Sequence, residues 1–146
     1  MNAPLPEVGI VLDYNHEADQ YDATRGGEQR AAAAATAIEK LLAPTASAAP
    51  AAQTVLDVAC GTGIVTRRLQ RPNRRVLGVD RSSGMLHRAA QRLPGSVVLA
   101  DASHLPIRTS SVDAVVIIWL LHLLNSGPDV EAVLAEAARH CGPAAL

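Results

Sequence analysis

The sequence is poor in aromatic residues: phenylalanine is absent, and one tryptophan and two tyrosines occur among 146 residues. The core must therefore be built from Ala, Val, Leu and Ile, within a chain that is 49% hydrophobic. An excess of charge is also lacking, since 13 basic residues stand against 14 acidic ones. An electrostatic nucleic-acid binder needs a basic face, so the composition does not indicate a nucleic-acid partner.

Cysteine and long apolar segments are scarce as well. Cys60 and Cys141 are the two cysteines, and their spacing matches neither a disulfide framework nor a clustered metal site, so we expect no metal. The longest apolar run, residues 114–124, is shorter than the roughly 20 residues that cross a bilayer. The N-terminus lacks the pattern of a signal peptide. We therefore expect a cytoplasmic protein without a membrane partner.

The length favours a single domain. Along the chain, an arm, a helix and a linker precede its core. Residues 1–18 read as an irregular arm, and residues 19–42 as a helix rich in Ala, Glu, Lys and Leu. Residues 43–53 contain two prolines among small residues and read as a linker. The remainder, residues 54–146, is predicted to form a βαβ core.

Within this core, predicted strands alternate with predicted helices. The strand-like segments are TVLDVA, RRVLGVD, SVVLAD and VDAVVIIWLL, and the helix-like segments are GIVTRRLQ, SSGMLHRAAQRL and GPDVEAVLAEAARH. Such alternation predicts an α/β fold with parallel strands and right-handed crossovers. The fourth strand is apolar throughout, which is typical of a central strand buried on both faces.

An acid stands in or at the end of each of the first three strands: Asp57, Asp80 and Asp101. Ligands of such sheets bind beyond the carboxyl ends of the strands, so we expect these acids to meet at one site. Gly61 and Gly63 follow the first strand and allow a tight turn with close approach of a ligand to the backbone. This arrangement predicts a nucleotide-like ligand.

Asp80 lies nineteen residues after Gly61, the spacing at which an acid binds ribose hydroxyls. NAD would also use that acid. Against NAD, the position of the third glycine of the dinucleotide fingerprint is Thr66. Asp57 would moreover repel a pyrophosphate.

A ligand with a carboxylate, an ammonium, a ribose and an adenine is compatible with all three acids and with the glycine turn. Asp57 would attract the ammonium, Asp101 would accept from the adenine amine, and the backbone N–H of Ala102 would serve a ring nitrogen.

The segments VLDVACGTG, VLGVDRSSGML and LADASHLPIRTSSVDAVVIIWLLHLL resemble the motifs of class I S-adenosylmethionine-dependent methyltransferases, in particular the ubiquinone/menaquinone-type branch. The resemblance covers residues 14–146. It implies a Rossmann-like sheet of strand order 3-2-1-4 with flanking helices, in which strands 5 to 7 of the family are missing, so the chain resembles a C-terminally truncated member. The implied cofactor is S-adenosyl-L-methionine, whose methyl group passes to a small-molecule acceptor that the sequence does not identify.

The resemblance also implies roles for residues of this chain. Trp119 would wall the site near the methyl group, Arg25 would pair with the methionine carboxylate, Tyr21 would line the pocket, and His122 would be the candidate base. Core packing for Trp119, a solvated position for Arg25, and a core or surface position for His122 are the simpler alternatives. The implied cofactor-binding residues are Asp57, Ala59, Gly61, Gly63, Asp80, Arg81, Met85, Asp101, Ala102, Trp119 and Arg25.

Other functions stay open beside methyl transfer. The missing strands favour a module that binds the cofactor without turnover, and an NAD-binding oxidoreductase domain is the weaker alternative. The chain reads as a fragment of a longer protein, as a truncated product without activity, or as a chain that pairs along its fourth strand. In the last case the apolar edge of that strand would mediate self-association.

Overall fold

The structure is a computed structural model that describes residues 12–43 and 52–142. Its centre is a four-stranded parallel sheet in the order β3-β2-β1-β4. The strands are β1 (Thr54–Val58), β2 (Arg75–Asp80), β3 (Val97–Leu99) and β4 (Ala114–Ile117). Val55 in β1 pairs with Val76 on one side and Ala114 on the other. The predicted α/β fold and strand order are therefore confirmed.

Two helices precede the sheet, where the sequence predicts one helix over 19–42. Helix α1 spans Tyr14–Thr24 and helix α2 spans Gly27–Leu42. Between them the backbone enters the left-handed region, with φ of 85° at Gly26 and 51° at Gly27. Glycine adopts this conformation at little cost and ends a helix there, so the prediction of a continuous helix is wrong.

The predicted arm and linker fall partly outside the described residues. Residues 1–11 of the arm lie outside them, and α1 begins at Tyr14, before the predicted boundary at residue 18. Asp13 caps this helix, because its side chain accepts a 3.0 Å hydrogen bond from the Asn15 N–H. Of the predicted linker, residues 44–51 lie outside the described ranges.

The connection from β1 to β2 also differs from the prediction. The sequence favours a helix over 63–70, whereas the structure forms only a 3-10 helix at Thr66–Leu69. The β-branched run Ile64, Val65 and Thr66 disfavours an α-helix. In addition, the Thr66 hydroxyl is engaged by a buried carboxylate of β1. The chain is thus anchored at the turn and cannot extend into a regular helix.

The later helices follow the prediction closely. Helix α3 spans Ser83–Arg92 and helix α4 spans Gly127–His140. Serine caps both helices: the Oγ atom of Ser82 accepts from the Met85 N–H at 3.2 Å, and that of Ser126 accepts from the Asp129 N–H at 3.3 Å. None of the helices in the described ranges is long and apolar enough to cross a membrane.

Small aliphatic side chains fill both faces of the sheet. On one face, Ala31 and Ala35 of α2 pack against Val55, Val76 and Leu69. The second face carries the cluster Leu56, Val58, Val79, Leu105 and Val112. Because α2 presents alanines to the sheet, helix and strands pack closely without any phenylalanine, as the composition requires.

Strand β4 forms an edge of the sheet among the described residues. The predicted order 3-2-1-4 also places the fourth strand at an edge, and β1 is the only ladder neighbour of β4 in the described ranges. The strand is shorter than the apolar run over 112–121 predicts, because it ends at Ile117, and its residues are half-buried. Beside its start, Val112 forms a single parallel bridge with Cys141, where the chain leaves α4.

Candidate functional site

A cavity of about 790 Å³ lies at the carboxyl ends of the strands. The start of α1, the turn after β1, the ends of β2 and β3, the segment after β4 and part of α4 line it. Nine of the eleven implied cofactor-binding residues lie in its wall: Asp57, Ala59, Gly61, Asp80, Arg81, Met85, Asp101, Ala102 and Trp119. The structure thus brings together the three acids of the strand ends. Gly63 and Arg25 are not in this wall.

Asp57 is buried in β1, with 1% of its surface exposed. Its Oδ2 atom accepts a 2.6 Å hydrogen bond from the Thr66 hydroxyl. Its Oδ1 atom is buried and has no hydrogen-bond partner in the structure. Burial raises the pKa of this carboxyl group to about 7, and the Thr66 hydrogen bond opposes the shift only in part. An unpaired buried acceptor in a cavity wall is suited to a ligand that donates hydrogen bonds and carries positive charge.

The turn after β1 brings backbone against the cavity. Ala59 and Gly61 both adopt left-handed conformations, with φ of 61° and 57°. A Cβ atom at Gly61 would meet nothing within 4 Å, so this backbone faces open space on the cavity side. Cys60 between them is buried, and burial raises the pKa of its thiol, which keeps it unreactive.

Gly63 packs against α3. Its φ is 73°, and a Cβ atom there would lie 3.0 Å from Leu93 Cδ1 and 3.2 Å from Ala89 Cβ. Both neighbours belong to α3 or its C-cap. The glycine therefore lets the turn approach α3, and the structure does not place it in the cavity wall.

Asp80 ends β2 and organises the backbone around it. Its Oδ2 atom accepts from the Gly61 N–H at 2.8 Å, and its Oδ1 atom accepts from the Ser82 N–H at 2.8 Å. The carboxylate thus fixes both the turn after β1 and the start of α3. Each carboxylate oxygen accepts more than one hydrogen bond, so acceptor capacity remains toward the cavity.

Asp101 follows β3 and is held by one neighbour. Its Oδ1 atom accepts from the backbone N–H of Ser103 at 2.8 Å and from the Ser103 hydroxyl at 2.6 Å. These hydrogen bonds hold the pKa of Asp101 below its usual range, so the group is ionised at neutral pH. Ala102 lies half-buried beside it, and Met85 is 2% exposed in the opposite part of the wall provided by α3.

Trp119 lies just beyond β4, half-buried and with a φ of 59°. It lines the cavity, as the resemblance implies. Arg25, in contrast, is exposed at the C-cap of α1, and its guanidinium carbon lies 5.7 Å from the centroid of the Tyr21 ring. The chain turns from α1 into α2 at this point, so Arg25 lies against Tyr21 and outside the cavity wall. Tyr21 itself does line the cavity.

The far end of the cavity is mostly apolar. The segment after β4 and the first half of α4 contribute Leu120, Leu123, Leu124, Asn125, Asp129, Ala132 and Val133. His122 lies in the same 3-10 helix as Leu123 but is exposed, and the structure does not place this candidate base in the wall. Across the described ranges, His, Cys, Asp and Glu side chains form no group of three that would hold a metal ion.

Sequence reasoning missed Asn15, which joins α1 to the start of α3. Its Oδ1 atom accepts from the Ser82 hydroxyl at 2.8 Å and from the Gly84 N–H at 2.9 Å. A Cβ atom at Gly84 would lie 2.6 Å from the Asn15 carbonyl oxygen, so only glycine allows this approach. No spacing signal marks these contacts, because they join residues 67 and 69 positions apart.

A second set of polar contacts fixes the other end of α1. The Thr62 hydroxyl donates to Asp22 Oδ1 at 2.6 Å, and the Arg92 guanidinium lies 2.7 Å from Asp22 Oδ2. Between the two ends, Arg88 pairs with Asp19 at 2.5 Å. Helix α1 is thus held along its length against α3 and the turn after β1, and forms one side of the cavity.

Comparison with known families decides the class of this site. A family described as "Methyltransferase domain" matches residues 55–144, which hold β1 from its second residue, the other three strands and α4. This chain belongs to that methyltransferase-domain family. The matched region includes Asp57, Gly61, Asp80 and Asp101, and the family together with the fold makes this a class I S-adenosylmethionine-dependent methyltransferase domain. The alternative of an NAD-binding domain finds no support.

The methyltransferase domain is similar to part of longer relatives. It is 40% identical over 91 residues to the demethylmenaquinone methyltransferase of Thermobifida fusca, covering 58% of this chain and 37% of the relative. It is 44% identical over 66 residues to the protein of the same name from Thermotoga maritima, covering 43% and 29%. The matched region is thus about a third of the length of these relatives.

Solved structures share the fold. DesVI of Streptomyces venezuelae superimposes with a TM-score of 0.74 at 30% identity, over 88% of this chain and 54% of that one. The S-adenosylmethionine-bound amino pentose methyltransferase CalS10 of Micromonospora echinaspora superimposes with a TM-score of 0.66 at 25% identity, over 88% and 52%. The fold of the methyltransferase domain is therefore the Rossmann-like one that the sequence predicts.

Proposed function

We propose that this domain binds S-adenosylmethionine in the cavity at the strand ends and provides the cofactor-binding part of a small-molecule methyltransferase. One observation carries the proposal: the cavity wall contains both Asp57, whose buried Oδ1 atom has no hydrogen-bond partner among the described residues, and the open backbone of Gly61. A ligand ammonium satisfies that atom, and the turn accommodates the remainder of an amino-acid moiety. Asp80 and Asp101 then stand at the next two strand ends.

The residues of the wall would divide the work of binding. Asp57 would accept a hydrogen bond from the ammonium, and Asp80 would accept from ribose hydroxyls with the capacity that its two backbone contacts leave. Asp101 and the Ala102 N–H would contact the adenine edge, and Met85 would pack against the ring. When bound, S-adenosylmethionine supplies an activated methyl group on a sulfonium sulfur. The protein supplies alignment and a dry site.

No imidazole or lysine side chain lines the cavity among the described residues. The wall does include Tyr14 and Tyr21, and burial raises the pKa of the Tyr21 hydroxyl. Tyr21 is therefore a hydrogen-bond donor at neutral pH. We accordingly assign no catalytic base to this chain and treat its contribution as binding, orientation and exclusion of water.

The acceptor would occupy the apolar end of the cavity. Leu123, Leu124 and Val133 supply apolar surface there, and Asp129 and Asn125 supply polar groups. The relatives named above methylate chemically different acceptors according to their names, a quinone precursor and an amino sugar. We therefore propose a small molecule with an apolar body as the acceptor and leave the methylated atom open.

The first experiment is calorimetric titration with S-adenosylhomocysteine. We expect micromolar binding to the wild-type chain, and loss of roughly tenfold or more in affinity in Asp80→Ala, because each charge-assisted hydrogen bond contributes about 1.5 to 3 kcal/mol. Glu131→Gln, on the exposed side of α4, is the control and retains affinity. NADH serves as the control ligand. Failure of a folded wild-type chain to bind would disprove the cofactor assignment.

The second experiment separates an enzyme from a binding module. Transfer of a labelled methyl group is measured over a panel of quinols, amines and phenols. Transfer that is lost in Asp80→Ala supports the enzyme. Binding without transfer to any acceptor supports a module that holds the cofactor without turnover.

We also propose self-association along the outer edge of β4. Val112 already pairs outward with Cys141, and alternation along the ladder points the backbone groups of Ala114 and Val116 to the same side. A second copy pairing there would cover this edge. Ala114→Pro removes an outward N–H without touching the β1 ladder, so it should shift a dimer to monomer in light scattering. A wild-type chain that stays monomeric over a roughly 100-fold range of protein concentration would contradict the proposal.

We propose a cytoplasmic location. Cys60 and Cys141 are both free, which suits a reducing compartment. Fractionation of expressing cells tests this, and recovery in the membrane or extracellular fraction would contradict it.

A further inference from the structure

The guanidinium group of Arg30 stacks on the tryptophan of the cavity wall. Its Cζ atom lies 3.7 Å from the centroid of the Trp119 ring. This distance corresponds to direct contact between the planar cation and the aromatic face, well inside the usual limit of about 6 Å. Arg30 lies in the first turns of α2, and no motif in the sequence points to it.

Arg30 is an exposed residue whose guanidinium group also reaches the end of α1. Its Nη1 atom donates to the carbonyl oxygen of Arg25 at 3.2 Å, at the end of α1. At its base, the Cβ atom of Arg30 lies 3.0 Å from where a Cβ of Gly26 would stand, so the preceding glycine leaves room for it. No carboxylate forms an ion pair with Arg30 within the part of the chain that the structure describes. Its polar and cation–π contacts in the described residues are with the Arg25 carbonyl oxygen and Trp119.

Trp119 is a residue that needs support. It adopts a φ of 59°, a backbone conformation that residues other than glycine rarely take, and it lies two residues beyond the end of β4. One side of the residue lines the large cavity, and the other lines a small recess shared with Arg30, Ala31 and Ile64. The guanidinium group therefore lies behind the wall that a ligand would contact.

We propose that Arg30 is a positioning residue that holds the Trp119 indole in the cavity wall and couples it to the end of α1. This inference rests on the proposed cofactor site, since the effect on binding is read through it. Arg30 itself does not line the large cavity. Its influence on a ligand passes through Trp119 on one side and through the Arg25 carbonyl on the other.

The chain contains a single tryptophan, so its fluorescence reports Trp119 alone. We compare wild type with Arg30→Met, which keeps the apolar stem, with Arg30→Lys, which keeps the charge, and with Arg75→Met as a control at an exposed residue of β2. We expect Arg30→Met to raise the acrylamide quenching constant about twofold and to weaken S-adenosylhomocysteine binding roughly three- to tenfold. The quenching constant and the ligand affinity of Arg30→Lys should lie between those of wild type and Arg30→Met. Both values for Arg75→Met should match wild type.

The quenching constant and the ligand affinity together distinguish failure of the Arg30 proposal from failure of the proposed cofactor binding. Unchanged quenching in Arg30→Met, with circular dichroism of a folded chain, overturns the proposal. Changed quenching with unchanged ligand affinity overturns the positioning role. If wild type itself binds no S-adenosylhomocysteine, the proposed function fails. In that case the quenching comparison alone decides whether Arg30 holds Trp119, and a twofold change supports it.

Discussion

The hydroxyl of Thr66 lies 2.6 Å from one oxygen of Asp57, and the other oxygen of the same carboxyl group has no partner. The two residues lie nine positions apart, on a strand and on the 3-10 helix that follows it. This half-satisfied, buried acid is what distinguishes the site from an ordinary strand-to-helix turn. Its chemistry yields the first predictions.

The stability of the protein should depend on the ionisation of Asp57. Its pKa is raised from 3.8 to about 7 in the folded chain. The stability that protonated Asp57 contributes to the folded chain is therefore fully present below pH 3.8 and is lost as pH rises through about 7. Asp57→Asn cannot ionise, so at pH 8 it should be more stable than wild type by on the order of 2 to 4 kcal/mol. Urea unfolding at pH 5 and pH 8 measures this, and a variant that keeps the wild-type pH slope would contradict it.

Cofactor binding should show the opposite dependence on pH. Asp57 must lose its proton to accept an ammonium, so affinity for S-adenosylhomocysteine should rise as pH increases through about 7. Below pH 7 the increase in affinity approaches about tenfold for each pH unit, because binding releases one proton from Asp57. Calorimetry at pH 6, 7 and 8 tests the slope. Asp57→Asn should bind weakly at every pH, and a steep slope in that variant would assign the effect to another group.

Thr66→Val should destabilise the protein more at high pH than at low pH. The change keeps the shape of the side chain and removes the one hydrogen bond that the described residues make to the buried carboxyl group. We expect a loss of about 1 to 3 kcal/mol at pH 8, where the group is charged, and a smaller loss at pH 5. The free energy of unfolding from urea titrations measures both. Equal losses at the two pH values would mean that Thr66 acts through packing alone.

Gly84→Ala should displace the start of α1 from the cavity. The new Cβ atom would lie 2.6 Å from the carbonyl oxygen and 2.7 Å from the Cα atom of Asn15, and backbone atoms cannot yield as a flexible side chain does. We expect S-adenosylhomocysteine affinity to fall roughly tenfold or more, because Asp13, Tyr14 and Asn15 line the site.

Gly127→Ala is the matched control for this variant. A Cβ atom at Gly127 meets nothing within 4 Å, and the residue likewise lies in the first turn of a helix. It should bind the ligand as wild type does. Equal affinities for both alanine variants would show that α1 does not need its contact with Gly84.

Much of the fold and part of the site could be predicted from the sequence. Alternating strands and helices require parallel pairing, and parallel pairing brings strand ends to one edge. Asp57, Asp80 and Asp101 therefore come together for a reason that local sequence expresses. The α-helix predicted after β1 does not form, because the β-branched residues at 64–66 disfavour it and the Thr66 hydroxyl donates a hydrogen bond to Asp57 of β1.

What could not be predicted depends on distant contacts. Asn15 reaches α3 across 67 positions, and Arg30 reaches Trp119 from a different helix. Neither contact has a periodicity or spacing that marks it. The packing of Gly63 against Leu93 and Ala89 is likewise a distant contact, because a glycine in a turn indicates backbone freedom without indicating which neighbour makes use of it.

The contacts that hold α1 are of two kinds, and salt separates them. Asp19 and Arg88 are an exposed ion pair, and Asp22 with Arg92 is about a quarter exposed, whereas Asn15 is bound through neutral hydrogen bonds. At 1 M salt the Debye length shrinks to about 3 Å, which weakens the ion pairs and leaves the neutral contacts nearly unchanged. Helix α1 is thus attached by neutral hydrogen bonds at its first turn and by ion pairs at Asp19 and Asp22, where the Thr62 hydroxyl adds one neutral donor. We therefore expect high ionic strength to loosen the later turns of α1 before its first turn.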